Sequence, residues 1–189
     1  MLFGESIRQI ARKMQTCEEW LELLRDLQEP IPDRRLPTEL DMRWAQPRDL
    51  MAINALEGFV KDTDFMEAAL KRGDRCLLLE HDGVICAFAW VTFTDYQLAL
   101  WYTLRLSAGW SYLVYIMVHP AWGRRGVGQA LLGELMAAVR DSGGTHMLSG
   151  LYSNWDVSLR MHEKMGFKIH RRLSQCRLLH IFPTPPKEV

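Results

Sequence analysis

The chain has 189 residues, 48% hydrophobic and 24% charged, a globular composition that excludes a disordered or low-complexity polypeptide. Its 23 Lys and Arg balance 23 Asp and Glu to a formal charge of zero. No overall field draws it to nucleic acid or an anionic membrane, so any anion site must be local.

The cysteines, Cys17, Cys76, Cys86 and Cys176, are scattered, without a C-x-x-C pair, and the six histidines show no metal spacing. No disulfide framework and no metal are expected, and a reducing cytoplasm is the simplest setting. The start, MLFGESIRQIARK, has no long apolar core of a secretory signal, and no apolar run reaches the length of a membrane span.

Residues 4–29 read as helix in two pieces. Ile7, Ile10, Ala11 and Met14 recur at helical spacing, as do Trp20, Leu23, Leu24 and Leu27, with Thr16 and Glu19 as a capping box between them. Pro30, Pro32 and Pro37 mark an extended linker. This predicts an N-terminal helical extension over 1–38 and a folded domain over 39–189. The extension packs on the domain, covers an acceptor site or forms a homodimer; packing is the simplest of the three.

Residues 39–45 alternate Leu40, Met42 and Trp44 with polar neighbours, a half-buried strand. Residues 48–60 and 62–73 carry helical periodicity. RCLLLEHDG and VICAFAWVTFT are β-rich runs joined at His81-Asp82-Gly83, a hairpin signal. Residues 95–110 read equally as strand, loop or short helix. SYLVYIMV, from Ser111, is a buried strand. Residues 126–141 form an amphipathic helix with Val127, Ala130, Leu131, Leu135, Ala138 and Val139 on one stripe, ended by Ser142-Gly143-Gly144. A strand HMLSGLY, a helix DVSLRMHEKMG, one or two last strands over 167–182 and a loose tail follow. The order implies a mixed α/β sheet.

The turn Trp122-Gly123-Arg124-Arg125-Gly126-Val127-Gly128-Gln129 stands between a strand and a helix N-terminus. Such a terminus presents free backbone N–H groups and about half a positive charge, the makings of a phosphate site. Gly126 and Gly128 let a bulky anion near the main chain, and Arg124 and Arg125 add bidentate donors. No lysine follows Gly128 as a P-loop requires, and Leu131 stands where a dinucleotide fingerprint needs its third small residue. On the turn alone, a plain helix start with two solvated arginines is an equal reading.

VHPAWGRRGVGQALL resembles motif A of the GNAT superfamily of acyl-CoA-dependent N-acetyltransferases: V-x-P, then Q/R-x-x-G-x-G/A-x-x-L. The match falls on Val118, Pro120, Gly126, Gly128 and Leu131, with Gly123 where the family carries an amide or basic residue. SLRMHEKMGF resembles motif B at Ser158, His162, Glu163, Lys164, Gly166 and Phe167, in the flavour of the phosphinothricin-acetyltransferase-like branch. Asn154 lies one residue upstream of the family's asparagine.

The resemblance implies a GNAT-type mixed, mainly antiparallel sheet flanked by helices. It implies acetyl-CoA as co-substrate. The pantetheine arm would lie on the backbone of Ile116, Met117 and Val118, and the pyrophosphate on the amides of Arg124, Arg125, Gly126, Val127, Gly128 and Gln129, with Asn154 and Ser158 nearby. The reaction would be direct attack of a neutral amine on the thioester, with a main-chain N–H such as that of Val118 facing the developing oxyanion.

His162, at the motif position of the usual tyrosine, is the candidate donor to the leaving thiolate; near pKa ~6.5, about a tenth would be charged at pH 7.5. Its equal alternative is a packing role beside Leu159. SYLVYIMV holds no acid, so the base falls to a water ordered by Tyr112 or Tyr115, to remote Glu80, or to a water chain. Trp90, Trp101, Trp110 and Tyr102 form either core or an aromatic acceptor pocket. With no acidic cluster nearby, a small amine fits better as acceptor than a protein. Two other readings stay open: a non-catalytic acyl-CoA-binding regulatory module, and an acyltransferase for longer acyl chains housed by 95–110.

Overall fold

The computed structural model describes residues 15–56, 63–99, 102–178, 182–183 and 187–188. Among them, one sheet runs in the order β10-β9-β1-β8-β7-β4-β3-β2, with β11 pairing to β9. Its strands are β1 (Gln15–Asp26), β2 (Asp41–Trp44), β3 (Arg75–His81), β4 (Val84–Thr92), β7 (Trp110–Val118), β8 (His146–Tyr152), β9 (Lys168–Leu178), β10 (Phe182–Pro183) and β11 (Lys187–Glu188). Every pairing is antiparallel except β7 with β8. The expected mixed, mainly antiparallel α/β architecture is what forms. Asp82 and Gly83 join β3 to β4 with φ of 51° and 75°, the paired positive angles of a type I′ hairpin turn.

The sheet is buried on both faces. On one, Leu21, Leu23, Ala87, Ala89, Val91, Leu113 and Leu151 meet Val127, Leu131, Leu135 and Val139 of helix α3 (Val127–Asp141). Helix α4 (Asp156–Lys164) adds Leu159 and Met161 to that side. On the other, Leu78, Phe88 and Trp90 pack against helices α1 (Leu50–Asn54) and α2 (Thr63–Arg72) through Ile53, Met66 and Ala69. Within 95–110, β5 (Tyr96–Ala99) pairs antiparallel with β6 (Tyr102–Leu104), whose Leu104 packs on Tyr112 and Leu148 of this second face. The helical expectation for residues 57–62 lies outside the described residues.

The largest departure from the sequence expectation is β1. Residues 15–26 are a strand, not a helix, so the expected capping box has no helix start there. The strand lies between β8 and β9, with Leu24 opposite Leu148 and Trp20 opposite Leu173. An inner strand must be apolar on both sides. Leu21 and Leu23 fill one face while Trp20 and Leu24 lie on the other, so the run Trp20-Leu21-Glu22-Leu23-Leu24 satisfies a strand as well as a helix. Residues 15–26, expected in a helical extension, instead supply an inner strand of the sheet that the residues after 38 build. Residues 4–14 lie outside the described residues.

Buried Arg25 fixes the end of β1. It donates to Glu29 Oε2 at 2.6 Å and to the Pro30 carbonyl at 2.7 Å, and packs on Gly166, where an added Cβ would stand 3.0 Å from its Cζ. The tail, read as loose, instead places β10 and β11 on β9. Cys17 and Cys176, far apart in sequence, stand opposite each other across β1 and β9.

Candidate functional site

β7 and β8 pair only from Trp110–His146 to Leu113–Ser149, yet β7 runs on to Val118 and β8 to Tyr152. The two strands part beyond that point. The cause is local. Trp90 faces Tyr115 while Val91 faces Leu113, so Val114 is an extra residue in β7, a bulge that bends the strand where the parallel ladder stops. The slot between the strands leaves main-chain groups of β7 unpaired.

The register tells which groups these are. The His119 amide donates to the Cys86 carbonyl at 2.8 Å, across from it. In an antiparallel ladder bonded and non-bonded pairs alternate, so Met117 and Tyr115 spend their backbone groups on Phe88 and Trp90 of β4. Ile116 and Val118 turn theirs toward the slot. Their side chains lie on the α3 face, whereas that of Met117 packs on the α1/α2 face. Of the three residues expected to meet a pantetheine arm, Ile116 and Val118 face the slot and Met117 does not.

The turn that follows is short of protein partners. Gly126 is the α3 N-cap at φ 79°, with no side chain capping the helix. Among the described residues, the amides of Arg124, Arg125, Gly126, Val127 and Gly128 meet no protein acceptor, while that of Gln129 already donates to the Gly126 carbonyl at 3.0 Å. The donor set is therefore 124–128, one residue shorter than the sequence implied. Arg124 itself is left-handed, φ 61°, and its side chain and that of Arg125 are exposed. Arg125 lies 5.0 Å over the Trp122 ring. Free N–H groups, a helix N-terminus and two exposed guanidiniums fit a diphosphate.

Between the slot and α4 lies a cleft of about 520 Å³, lined by Ile116, Val118, Asn154, Trp155, Asp156, Val157, Ser158 and Met161. It brings together four of the residues the sequence singled out: Ile116, Val118, Asn154 and Ser158. Trp155, Asp156, Val157 and Met161 were missed, since no motif flags them beyond their place in and just before the second motif. Gly128 closes the connection to the turn: an added Cβ would meet Met161 Sδ at 3.2 Å and Val118 Cγ2 at 3.4 Å.

His162, the expected thiolate donor, is not in the cleft wall. It is 2% exposed. Its Nδ1 donates to the Ser158 carbonyl at 2.8 Å, its Nε2 lies 2.9 Å from Ser149 Oγ, and its ring meets Phe167 edge-on at 5.0 Å. Burial pushes its pKa down. A neutral imidazole with both nitrogens engaged has no proton to spare, so the packing alternative describes it.

The base candidates fare likewise. Glu80 is clamped by Arg43, which also holds Asp49. Tyr112 is buried against Tyr96, and desolvation drives its phenol far above the usual range. Tyr115 stacks on Phe88. Trp90 is core, Trp110 stacks on His146 at 4.9 Å, and Trp101 lies outside the described residues. Tyr102 donates to Glu22 Oε2 at 3.3 Å, a residue no motif pointed to.

The family model described as "Acetyltransferase (GNAT) family" matches residues 40–167, a span that holds the split, the turn and the cleft. The chain belongs to the GNAT acetyltransferase family. This GNAT chain is 30% identical over 122 residues to an L-methionine sulfoximine/L-methionine sulfone acetyltransferase of Salmonella typhimurium, covering 60% of this chain and 64% of that one. It is 28% identical over 115 residues to the L-amino acid N-acyltransferase MnaT of Escherichia coli, covering 59% and 60%. It therefore spans under two thirds of the length of either. Among solved structures, a GCN5-related N-acetyltransferase from Sphaerobacter thermophilus superposes with a TM-score of 0.68 at 14% identity, over 98% of this chain and 58% of that one. The likeness is one of fold. Among the described residues of the GNAT chain, no cluster of His, Cys, Asp or Glu could hold a metal, and no helix is long and apolar enough to cross a membrane.

Proposed function

We propose that this chain is an acetyl-CoA-dependent N-acetyltransferase whose acceptor is the amine of a small amino acid. One observation carries the reading: the β7/β8 split opens beside the unpartnered amides of Arg124–Gly128, so a strand-like amide arm and a diphosphate can be held in one continuous groove. The relatives' names supply the acceptor class.

In this reading Ile116 and Val118 pair their main chain with the pantetheine amides, as an added strand would. The amides of 124–128 and the guanidiniums of Arg124 and Arg125 take the diphosphate. Asn154 and Ser158 line the outer cleft. A slot-facing N–H of Ile116 or Val118 meets the thioester oxygen as it gains charge. Acetyl-CoA supplies the activated acyl group; the chain binds it and excludes water. A cytoplasmic setting, where acetyl-CoA is made, belongs to the same proposal.

The test is release of free thiol from acetyl-CoA across a panel of amines. The panel includes L-methionine sulfone, L-methionine sulfoximine, the common L-amino acids, polyamines and a lysine-containing peptide. Release with one or more amino acids supports the reading. Release with polyamines or peptide alone replaces the acceptor class, and none with any amine removes the activity.

A further inference from the structure

Cys17 of β1 and Cys176 of β9 are cross-strand partners in the antiparallel ladder between the two strands. The kind of pair is fixed by a proline. β10 lies on the other edge of β9 and sets Pro183 opposite Arg177. Proline has no N–H to exchange, so Arg177 turns its backbone groups away from β10 and toward Thr16 of β1. Bonded and non-bonded pairs alternate along an antiparallel ladder, which makes Cys17 and Cys176, one position on, a non-bonded pair. Such a pair holds its Cα atoms about 4.5 Å apart, inside the window of roughly 4.4–6.8 Å that a disulfide spans.

The ladder is one-sided there. β8 covers β1 only from Trp20 to Asp26, and beyond it the Ser153 amide reaches the Glu19 carbonyl. Among the described residues, 15–18 have β9 as their only strand partner. An end held along one edge is where local opening of a strand begins. The other two cysteines offer no competing pair. Cys76 faces Trp90 across β3 and β4, not Cys86, and the two are 1% and 3% exposed. Cys86 donates its thiol to the Leu79 carbonyl at 3.3 Å, and burial raises the pKa of both thiols, which keeps them protonated and inert.

We propose that Cys17 and Cys176 are a redox site, joined by a reversible disulfide that fastens β1 to β9. The site is independent of the function proposed above. The oxidant is a low-molecular-weight disulfide such as glutathione disulfide. One cysteine thiolate attacks it, a mixed disulfide forms and one glutathione leaves as thiolate. The second cysteine thiolate attacks the protein sulfur of that mixed disulfide; the Cys17–Cys176 bond forms and the second glutathione leaves. Two protein thiols are oxidised, one glutathione disulfide is reduced to two thiols, and the two protein protons end on the released glutathiones. In a reducing compartment both cysteines rest as thiols, and the bond forms when the disulfide pool rises. Closed, it clamps the end of β1 that β8 leaves uncovered, in the strand whose Trp20 indole lies against Gly150, one residue past the β7/β8 ladder.

The experiment holds the folded full chain in glutathione disulfide or in dithiothreitol, quenches exchange with acid, removes the reagents and counts thiols in denaturant. All four cysteines should titrate after dithiothreitol and only two after oxidation. A non-reduced digest should yield one cross-linked peptide pair, joining Cys17 to Cys176 within a single chain. Tm of the oxidised protein should rise by at least about 4 °C over the reduced one. Cys17→Ser and Cys176→Ser should each abolish both the cross-link and the rise. Four thiols after oxidation, glutathione adducts without a cross-link, a cross-link between chains, or one that involves Cys76 or Cys86 each overturns the proposal. A Cys17–Cys176 bond that leaves Tm unchanged overturns the fastening of β1.

Discussion

Gly128 and Met161 meet where the phosphate turn joins the cleft: a Cβ at 128 would stand 3.2 Å from the Met161 sulfur. The thioether is flexible and can give way, and alanine is worth up to about 1 kcal/mol over glycine inside a helix. Gly128→Ala should therefore fold as well as the wild type or better. It also fills the connection through which a diphosphate and its arm would pass. KM for acetyl-CoA should rise about tenfold, the equivalent of ~1.4 kcal/mol, and more for Gly128→Val. Steady-state kinetics beside a melting curve checks this, and an unchanged KM would show that the cofactor enters elsewhere.

Arg124 holds a left-handed backbone, φ 61°, at an exposed position. A side chain there costs roughly 1–2 kcal/mol, against 0.5–1 kcal/mol of extra entropy lost by glycine on folding. Arg124→Gly should leave Tm unchanged or slightly raised while weakening coenzyme A binding several-fold and flattening its salt dependence. Calorimetric titration at two ionic strengths measures both. A variant that binds as tightly as the wild type would leave the turn's grip to its amides and Arg125.

Much of this was legible in the sequence. The turn and its glycines announce themselves because a helix start open to an anion needs a fixed local spacing, and Ser158 follows from the resemblance to the second motif. The slot was foreseeable only as a family expectation, since it depends on the Val114 bulge, which exists only once β4 and β7 are paired. β1 was misread because inner strands lack the period-two signal; its Leu and Trp residues satisfy both periodicities. Glu22 was the discordant residue in that run. As a helix it belonged to a solvated face; as a strand it is 1% exposed, held between Arg171 and Tyr102. His162 shows the converse. Its motif position suggested chemistry, but only the fold reveals that Ser149 and Ser158 take both its nitrogens.

Arg43 ties the sheet edge to the first helical turn. It donates to Asp49 Oδ2 at 2.7 Å and Oδ1 at 2.9 Å, and to both oxygens of Glu80. Asp49 is 7% exposed, and the guanidinium holds its pKa below the usual carboxylate range. Arg43→Met should cost about 3–5 kcal/mol, the typical cost of stranding a buried charge. With a lowered folded pKa, the Asp49 contribution is present above its unfolded value near 3.9 and is lost as pH falls through the folded one. The wild-type advantage over Arg43→Met should therefore hold at pH 6 and shrink below about pH 4. Denaturant melts of both proteins across that range test it; a gap that does not change with pH would assign the effect to packing of the arginine stem.

His162 makes the sharpest division between structure and chemistry. Its ring ties α4 to β8 through Ser149 while bonding the Ser158 carbonyl of its own helix, and burial lowers its pKa. His162→Leu keeps the bulk but leaves the Ser149 hydroxyl without its partner, which should cost about 1–3 kcal/mol. Because the folded pKa lies below the unfolded ~6.5, the neutral ring's contribution is complete above pH 6.5 and declines as pH falls toward the folded value. The wild type should thus lose stability between pH 6.5 and 5 in a limb that His162→Leu lacks. At a temperature where both are folded, turnover should agree within about fivefold, far less than the ~10²–10⁴ expected for a positioned acid. Urea titrations at several pH values and thiol release at 20 °C decide the matter. A Leu variant as stable as the wild type but a hundredfold slower would return the histidine to the reaction.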